Sequence, residues 1–292
     1  MSIEPMEKST TDKSVTVTKG HNQINRRKFL LRGAATLLAG SSYAYFESGW
    51  ARIRQQAVSV PNLPDAFKGK TVALLTDIHH GRFISLNYIE RIVGITNGLK
   101  PDAILLAGDY VHRHHKYIEP CFDVLGNLRA PLGVFGVMGN HDHWEGLKAS
   151  KIAMKKNGIE ELTNSGVWIE ESGQRLRIAG VDDLWEGKQQ LPSALKDTQQ
   201  DESVILLCHN PDYVEQITDH RVGLVLSGHT HGGQIVVPLY GAPRVPSRYG
   251  QKYLHGLVKT EYTKVFVSRG IGTVMLPFRF YCRPEIVLLT VT

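Results

Sequence analysis

Thr71-Val-Ala-Leu-Leu-Thr-Asp77-Ile-His79 is a short aliphatic run that closes on a carboxylate and an imidazole. Further runs along the chain end the same way. Asp109 follows Ala103-Ile-Leu-Leu-Ala-Gly108, and Asn140 with His141 follows Gly133-Val-Phe-Gly-Val-Met-Gly139. His209 ends Ser203-Val-Ile-Leu-Leu-Cys208, and His229 and His231 follow Leu224-Val-Leu-Ser-Gly228. Each run is short and rich in β-branched and aliphatic residues, the pattern of a buried strand. In open α/β sheets, sites form outside the carboxyl ends of the strands. The five runs would therefore deliver carboxylate, amide and imidazole to one crevice. Oxygen ligands suit Mn²⁺ or Mg²⁺, and imidazole suits Zn²⁺, Fe²⁺ or Mn²⁺, so the set fits two divalent metal ions.

The segments between the runs supply helices. Ser85 can cap a helix from Leu86 to about Leu99, whose apolar Ile89, Ile92, Val93 and Leu99 share a face, and Pro101 ends it. A second helix is expected between Tyr117 and Leu128, and a third from Trp144 to Lys156, stopping at Asn157-Gly158. Closely spaced strands follow: Gly166 to Glu170, Leu176 to Val181, Ser203 to Cys208, Leu224 to Ser227 and Gln234 to Val237. Val58 to Lys70 reads as a first extended segment and turn. The order predicts an α/β fold: a two-sheet β-sandwich flanked by helices, with the metal site at the carboxyl ends of the strands. Residues 57–292 would form this domain, and residues 1–56 a leader and linker.

The blocks Asp77-Ile-His79, Gly108-Asp109, Gly139-Asn140-His141-Asp142, His209 and Gly228-His229-Thr230-His231 resemble the calcineurin-like metallophosphoesterase superfamily. One Asp-x-His is common by chance; five blocks in order, each after a strand-like run, are specific. Within the superfamily the chain looks closest to the exported or membrane-anchored bacterial branch, on the strength of Gly228 to Gln234 and Arg283-Pro284-Glu285. The resemblance implies the same sandwich and a dinuclear centre. Asp77, His79 and His231 would complete one site; Asn140, His209 and His229 the other; Asp109 would bridge. Two metals ~3.5–4 Å apart can clamp an in-line displacement at phosphorus, with a metal-bridging hydroxide as the nucleophile. His141, its backbone fixed beside a ligand, would protonate or stabilise the leaving oxygen.

The chain departs from relatives that carry Gly-Asp-x-x-Asp, whose second Asp pairs the catalytic His. Here Gly108-Asp109-Tyr110-Val111-His112 puts an imidazole in that place. Arg113 beside it is either a phosphate contact or part of a solvated basic loop. Arg244, Arg248, Arg269 and Arg279 in the tail are either substrate contacts or surface charge. His80 and His143 neighbour used positions and are not expected to ligate. Asp142 is expected to brace its loop.

The formal net charge of +6 belongs almost entirely to residues 1–56, which hold nine Lys/Arg and four Asp/Glu. The remaining domain is close to neutral, so no nucleic-acid surface is indicated. Cys121, Cys208 and Cys282 are an odd, widely spaced set, which excludes a disulfide framework or a zinc ribbon. Asn25-Arg26-Arg27-Lys28-Phe29-Leu30-Leu31-Arg32 resembles the twin-arginine (Tat) export signal. An apolar stretch, Gly33 to Ala44, follows it, and Ser42-Tyr43-Ala44 is a small-x-small cleavage site. The stretch is shorter than the ~20 apolar residues of a spanning helix. The segment acts either as a cleaved signal or as a retained anchor associated with the membrane. The Tat machinery is then a partner, and the domain works in the periplasm or on the outer face of the cytoplasmic membrane.

The leading function is hydrolysis of a phosphoester, a phosphodiester before a monoester, with a lipid-linked substrate in view. The same branch offers an alternative, a pyrophosphatase acting on UDP-2,3-diacylglucosamine in lipid A synthesis. A reading of another class is a metal-stabilised binding protein of the cell envelope.

Overall fold

The computed structural model describes residues 25–292; the polar tail expected ahead of the twin arginines lies outside the described residues. The chain divides into two units, Met1–Gly40 and Ser41–Thr292. Helix α1 (Arg26–Ser48) begins in the first. There its large apolar side chains, Phe29, Leu30, Leu31, Leu37 and Leu38, are exposed. No described helix is long and apolar enough to cross a membrane.

The second unit holds two mixed sheets. The strands are, in chain order, β1 (Arg52–Val58), β2 (Thr71–Leu75), β3 (Ala103–Leu106), β4 (Val134–Gly136), β5 (Glu160–Glu161) and β6 (Ser165–Glu171). They continue with β7 (Gln174–Gly180), β8 (Val204–Leu207), β9 (Val222–Ser227), β10 (Gly256–Lys259), β11 (Lys264–Val267) and β12 (Glu285–Val291). One sheet has the order β1-β12-β2-β3-β4-β5 and the other β10-β11-β9-β8-β7-β6. In the first, β2 to β5 are mutually parallel; in the second, β7, β8, β9 and β11 are. The parallel pairing explains why the central runs, β2, β3, β8 and β9, are almost wholly apolar rather than alternating: these strands are covered on both faces.

Period-2 geometry sorts their side chains. Val72, Leu74 and Leu105 face Ile178, Ile205, Leu207 and Leu226 of the other sheet in a central core. Ala73, Leu75, Ile104 and Leu106 point outward onto α2 (Leu86–Gly98), α3 (Ile118–Leu125) and α4 (Asn140–Lys156). Leu206, Val225 and Val267 form a third cluster with Ala194, Leu195 and Tyr213 on the far side. The expected helix-flanked two-sheet sandwich is what forms. Ser85 caps α2 by accepting from the Tyr88 N–H at 3.3 Å.

Three sequence expectations are corrected. The boundary placed at 56/57 falls inside β1, which pairs in parallel with β12 from Arg52↔Glu285 to Val58↔Val291. Arg52-Ile-Arg-Gln-Gln reads as linker because its side chains are polar; its backbone is nonetheless ladder-bonded, and Arg52 meets the buried Glu285 at 2.9 Å. Gln234 to Val237 is not a strand of either sheet. Positive φ at Gly232, Gly233 and Gln234 (60°, 78° and 58°) turns the chain out, leaving only the bridges Ile235↔Phe280 and Val237↔Gly241. Helix α4 starts earlier than expected, at Asn140, and contains a kink at Gly146 (φ 145°).

The last turn of α1 packs on the tail. The Glu47 carboxylate accepts from the backbone N–H of Cys282 (2.6 Å) and Tyr281 (3.1 Å), and the Ala44 carbonyl accepts from Arg279 N–H (3.0 Å).

Candidate metal centre

The turns after β2, β3, β4, β8 and β9 meet at one end of the sandwich. They are tightly coiled: Asp77 (φ 51°), His79 (50°), Asp109 (59°), His229 (69°) and His231 (53°) all sit in the left-handed region. Non-glycine residues rarely adopt it, and such strain gathers at functional sites. Neighbouring glycines make room. A Cβ at Gly139 would strike Asp109 Oδ1, and one at Gly228 would strike Asp77 Oδ2.

Two donor groups result, Asp77–His79–His231 and Asp109–His209–His229. In the first, His231 Nε2 lies 3.3 Å from Asp77 Oδ1 and 3.0 Å from His79 Nε2. In the second, His209 Nε2 lies 3.2 Å from Asp109 Oδ2 and 3.2 Å from His229 Nδ1. Asp109 Oδ2 is also 3.5 Å from His79 Nε2, so this one oxygen faces both groups. Its partner Oδ1 accepts from the His141 N–H at 2.9 Å. Asn140 stands with them, its Oδ1 buried and without a hydrogen-bond partner.

These residues fit a pair of cations. His79 Nε2 faces His231 Nε2 at 3.0 Å and His229 Nδ1 faces His209 Nε2 at 3.2 Å, pairs of ring nitrogens that a cation between them would reconcile. His209 Nδ1 sits 2.7 Å from the Ala107 carbonyl, which can only accept, so the neutral ring turns a lone pair on Nε2 into the cluster. Burial holds His229 down to about 3 and His79 and His231 well below the usual imidazole range, so their nitrogens are neutral donors. Burial opposes charge on His209 as well, but Asp109 and Asp77 outweigh it and push it up to about 10. A cation bound at that nitrogen would take the proton's place.

Supporting contacts hold the ligands. Asp77 accepts from Thr76 Oγ1 (2.8 Å) and from the His229 N–H (3.0 Å to each oxygen). Asp142 is fully buried, and its carboxylate accepts from the N–H groups of Asp109 (2.8 Å), Tyr110 (3.0 Å) and Gly139 (2.9 Å). Asp142 therefore braces two ligand turns, as expected. His141 Nδ1 lies 3.2 Å from His112 Nδ1, so the residue in the place of the missing carboxylate does pair His141, ring to ring. His112, His141 and His79 also form a third close group of ring nitrogens.

A cavity of about 520 Å³ opens over Asp109, Asn140, His141, His229 and His231. Trp144 stacks edge-on against His141 (4.6 Å) and Trp185 against His229 (4.3 Å), forming part of its walls. Asp77, His79 and His209 lie buried among the ligand turns.

Residues 70–233 match the sequence model of the calcineurin-like phosphoesterase family. The chain belongs to that family. Relatives that span nearly all of it include the uncharacterized metallophosphoesterase YkuE of Bacillus subtilis (strain 168), 33% identical over 92% of this chain and 98% of its own length. Phosphodiesterase YaeI of Escherichia coli (strain K12) is 34% identical over 91% and 98%. Among solved structures, a 5'-nucleotidase precursor from Thermus thermophilus superposes with a TM-score of 0.47 at 16% identity, covering 70% of this chain and 49% of that one. As a calcineurin-like phosphoesterase the chain is a metal-dependent phosphoester hydrolase.

Of the residues expected at the centre, Asp77, His79, Asp109, His209, His229 and His231 fall in the two donor groups, and Asn140 and His141 line the cavity beside them. The secondary candidates His80 and His143 do neither. His80 Nδ1 meets the Ile84 carbonyl (2.8 Å) and His143 pairs with Asp182 (2.9 Å). Arg113 is exposed outside the cavity. Arg279 is fully buried rather than free for substrate: it donates to the carbonyls of Gly272 (3.0 Å), Cys282 (3.1 Å), Arg269 (2.8 Å) and His231 (3.3 Å). It fixes the backbone of a ligand, a role that an Arg among Gly and Pro gives no sign of in sequence. Of the tail arginines, Arg244 alone lines the cavity.

Proposed function

We propose that the chain is a phosphodiesterase that works with two divalent cations. The observation that carries this is Asp109 Oδ2, placed between His79 Nε2 at 3.5 Å and His209 Nε2 at 3.2 Å, the position of a bridging ligand. Asp77, His79 and His231 would hold one cation and Asn140, His209 and His229 the other, with Asp109 placed to serve both. When bound, the cations supply an acidified water nucleophile and positive charge for the phosphoryl oxygens. The chain's own part is positional. His141 lines the cavity beside Asp109 and Asn140, where it donates a proton to the departing alcohol oxygen. His112, 3.2 Å away, fixes the ring that does so. Preference for diesters is supported by the name of the Escherichia coli relative. The twin arginines ahead of Phe29-Leu30-Leu31 support export by the Tat route, with the domain working outside the cytoplasm at the membrane.

The test is a screen of the purified, Mn²⁺-loaded chain against a phosphodiester, the matching monoester and a nucleotide-lipid pyrophosphate. The diester should be turned over fastest. A monoester preferred by tenfold or more would overturn the phosphodiesterase reading and leave the hydrolase class standing.

A further inference from the structure

The cavity has two unlike walls. One is the ligand cluster. The other is built by Trp144, Trp185, Ile235, Val274, Met275 and Leu276. Several of these are held in water: Trp144 is 52% exposed, Trp185 44%, Met275 57% and Leu276 51%. Single exposed apolar side chains need no explanation, but a contiguous group rimming a cavity marks a binding surface.

The polar side chains of that wall are already spent. Gln234 Nε2 donates to the carbonyls of Val274 (3.0 Å) and Leu276 (3.3 Å), and its Oε1 accepts from the Val274 N–H (2.9 Å). Thr230 Oγ1 donates to the Leu254 carbonyl at 2.9 Å. Among the described residues that leaves Arg244 and the indole N–H groups of Trp144 and Trp185 as the polar side-chain groups of this wall still available to a ligand, all of them donors. The donors of a nucleobase or sugar buried here would lose their water partners and find no free side-chain acceptor on this wall in return, an unfavourable exchange. A hydrocarbon loses nothing.

We infer that this wall is a subsite for a hydrocarbon chain, so that the substrate is a phosphoester carrying an alkyl or acyl group. The phosphoryl group lies toward the ligand cluster and the chain lies along Trp185, Met275 and Leu276. Arg244 answers an anionic oxygen near the chain's polar end. The inference rests on the phosphodiesterase reading for its chemistry, but the subsite can be tested by binding alone.

Methyl-, butyl- and octylphosphonate, which cannot be hydrolysed, are titrated into the metal-loaded full chain and followed by tryptophan fluorescence and calorimetry. Affinity should rise by roughly three- to fourfold per methylene while the chain is being buried. Met275→Asn combined with Leu276→Asn, both exposed sites, should flatten the series. Equal affinities along the series overturn the subsite, as does a nucleoside monophosphate that binds more tightly than octylphosphonate. Turnover of methyl, butyl and octyl 4-nitrophenyl phosphodiesters, which share a leaving group, is measured in parallel. Loss of turnover across that set with the binding series intact would refute the phosphodiesterase reading and spare the subsite. Running the octyl diester free and in phosphatidylcholine vesicles separates the two sources. Faster turnover in vesicles assigns a membrane lipid; faster turnover free assigns a soluble amphiphile; both outcomes support a hydrocarbon site.

Discussion

Replacing Asp142 by Asn tests whether the ligand turns are held by their bracing carboxylate. The side chain is fully buried and accepts three backbone N–H bonds, at 2.8, 3.0 and 2.9 Å. An amide has one oxygen. Its least costly orientation keeps the bonds from Asp109 and Gly139 and turns the NH₂ group toward the Tyr110 N–H. A buried donor left facing a donor costs about 1–3 kcal/mol, and each retained bond weakens by about 1 kcal/mol on passing from a charged to a neutral acceptor. Burial and the Asp109 charge push Asp142 up to about 7, so the neutral amide also relieves a charge cost of roughly 4 kcal/mol, which offsets most of the loss. The net expectation is a loss of at most about 1 kcal/mol, or roughly 2–4 °C in Tm for a domain of this size. Thermal unfolding of the Mn²⁺-loaded wild type and variant, followed by circular dichroism, reads this directly. Turnover should fall as well, because the same N–H groups fix the backbone of Asp109. An unchanged Tm together with unchanged turnover would show that the turns hold themselves and that the brace is incidental.

Asp109→Asn should leave the fold intact and lower the bound metal from two equivalents to one, with turnover lost; two retained metals at near wild-type rate would sink the bridging assignment. His141→Ala should lower turnover by ~10²–10⁴-fold with little change in metal content. That defect should shrink for nitrophenolate leaving groups, and equal defects for good and poor leaving groups would refute the acid role. Arg26→Lys with Arg27→Lys keeps the charge but loses the planar guanidinium fork, so fractionation should find the double variant retained in the cytoplasm. Export of both proteins alike would remove the Tat reading and reopen the cytoplasm-facing pyrophosphatase alternative.

What could be read in the sequence was whatever the backbone period writes there. β2, β3, β8 and β9 are short runs of apolar residues because parallel strands covered on both faces have no other composition. The candidate ligands follow each run at once, so the strands themselves point to the candidate site. Other features leave no such trace. Arg52 to Gln56 of β1 are polar but for the exposed Ile53 and enter the sheet through their backbone, so their composition reads as linker. The apolar wall draws Trp144 from α4 and Trp185, Ile235 and Met275 from three separate loops, and no local pattern links residues that meet only after folding. Arg279 reads as surface charge because burial of a guanidinium depends on a cage of carbonyls that the tail builds around it.

The left-handed backbone at Asp77, His79, Asp109, His229 and His231 sets heat resistance against chemistry. An L-residue there costs roughly 1–2 kcal/mol over an unstrained one, and glycine relieves most of it. A library selected only for survival on heating in chelator is therefore free to replace these five residues, while one selected for turnover is not. Run side by side, the two selections would map the centre of this molecule without any knowledge of what it cleaves.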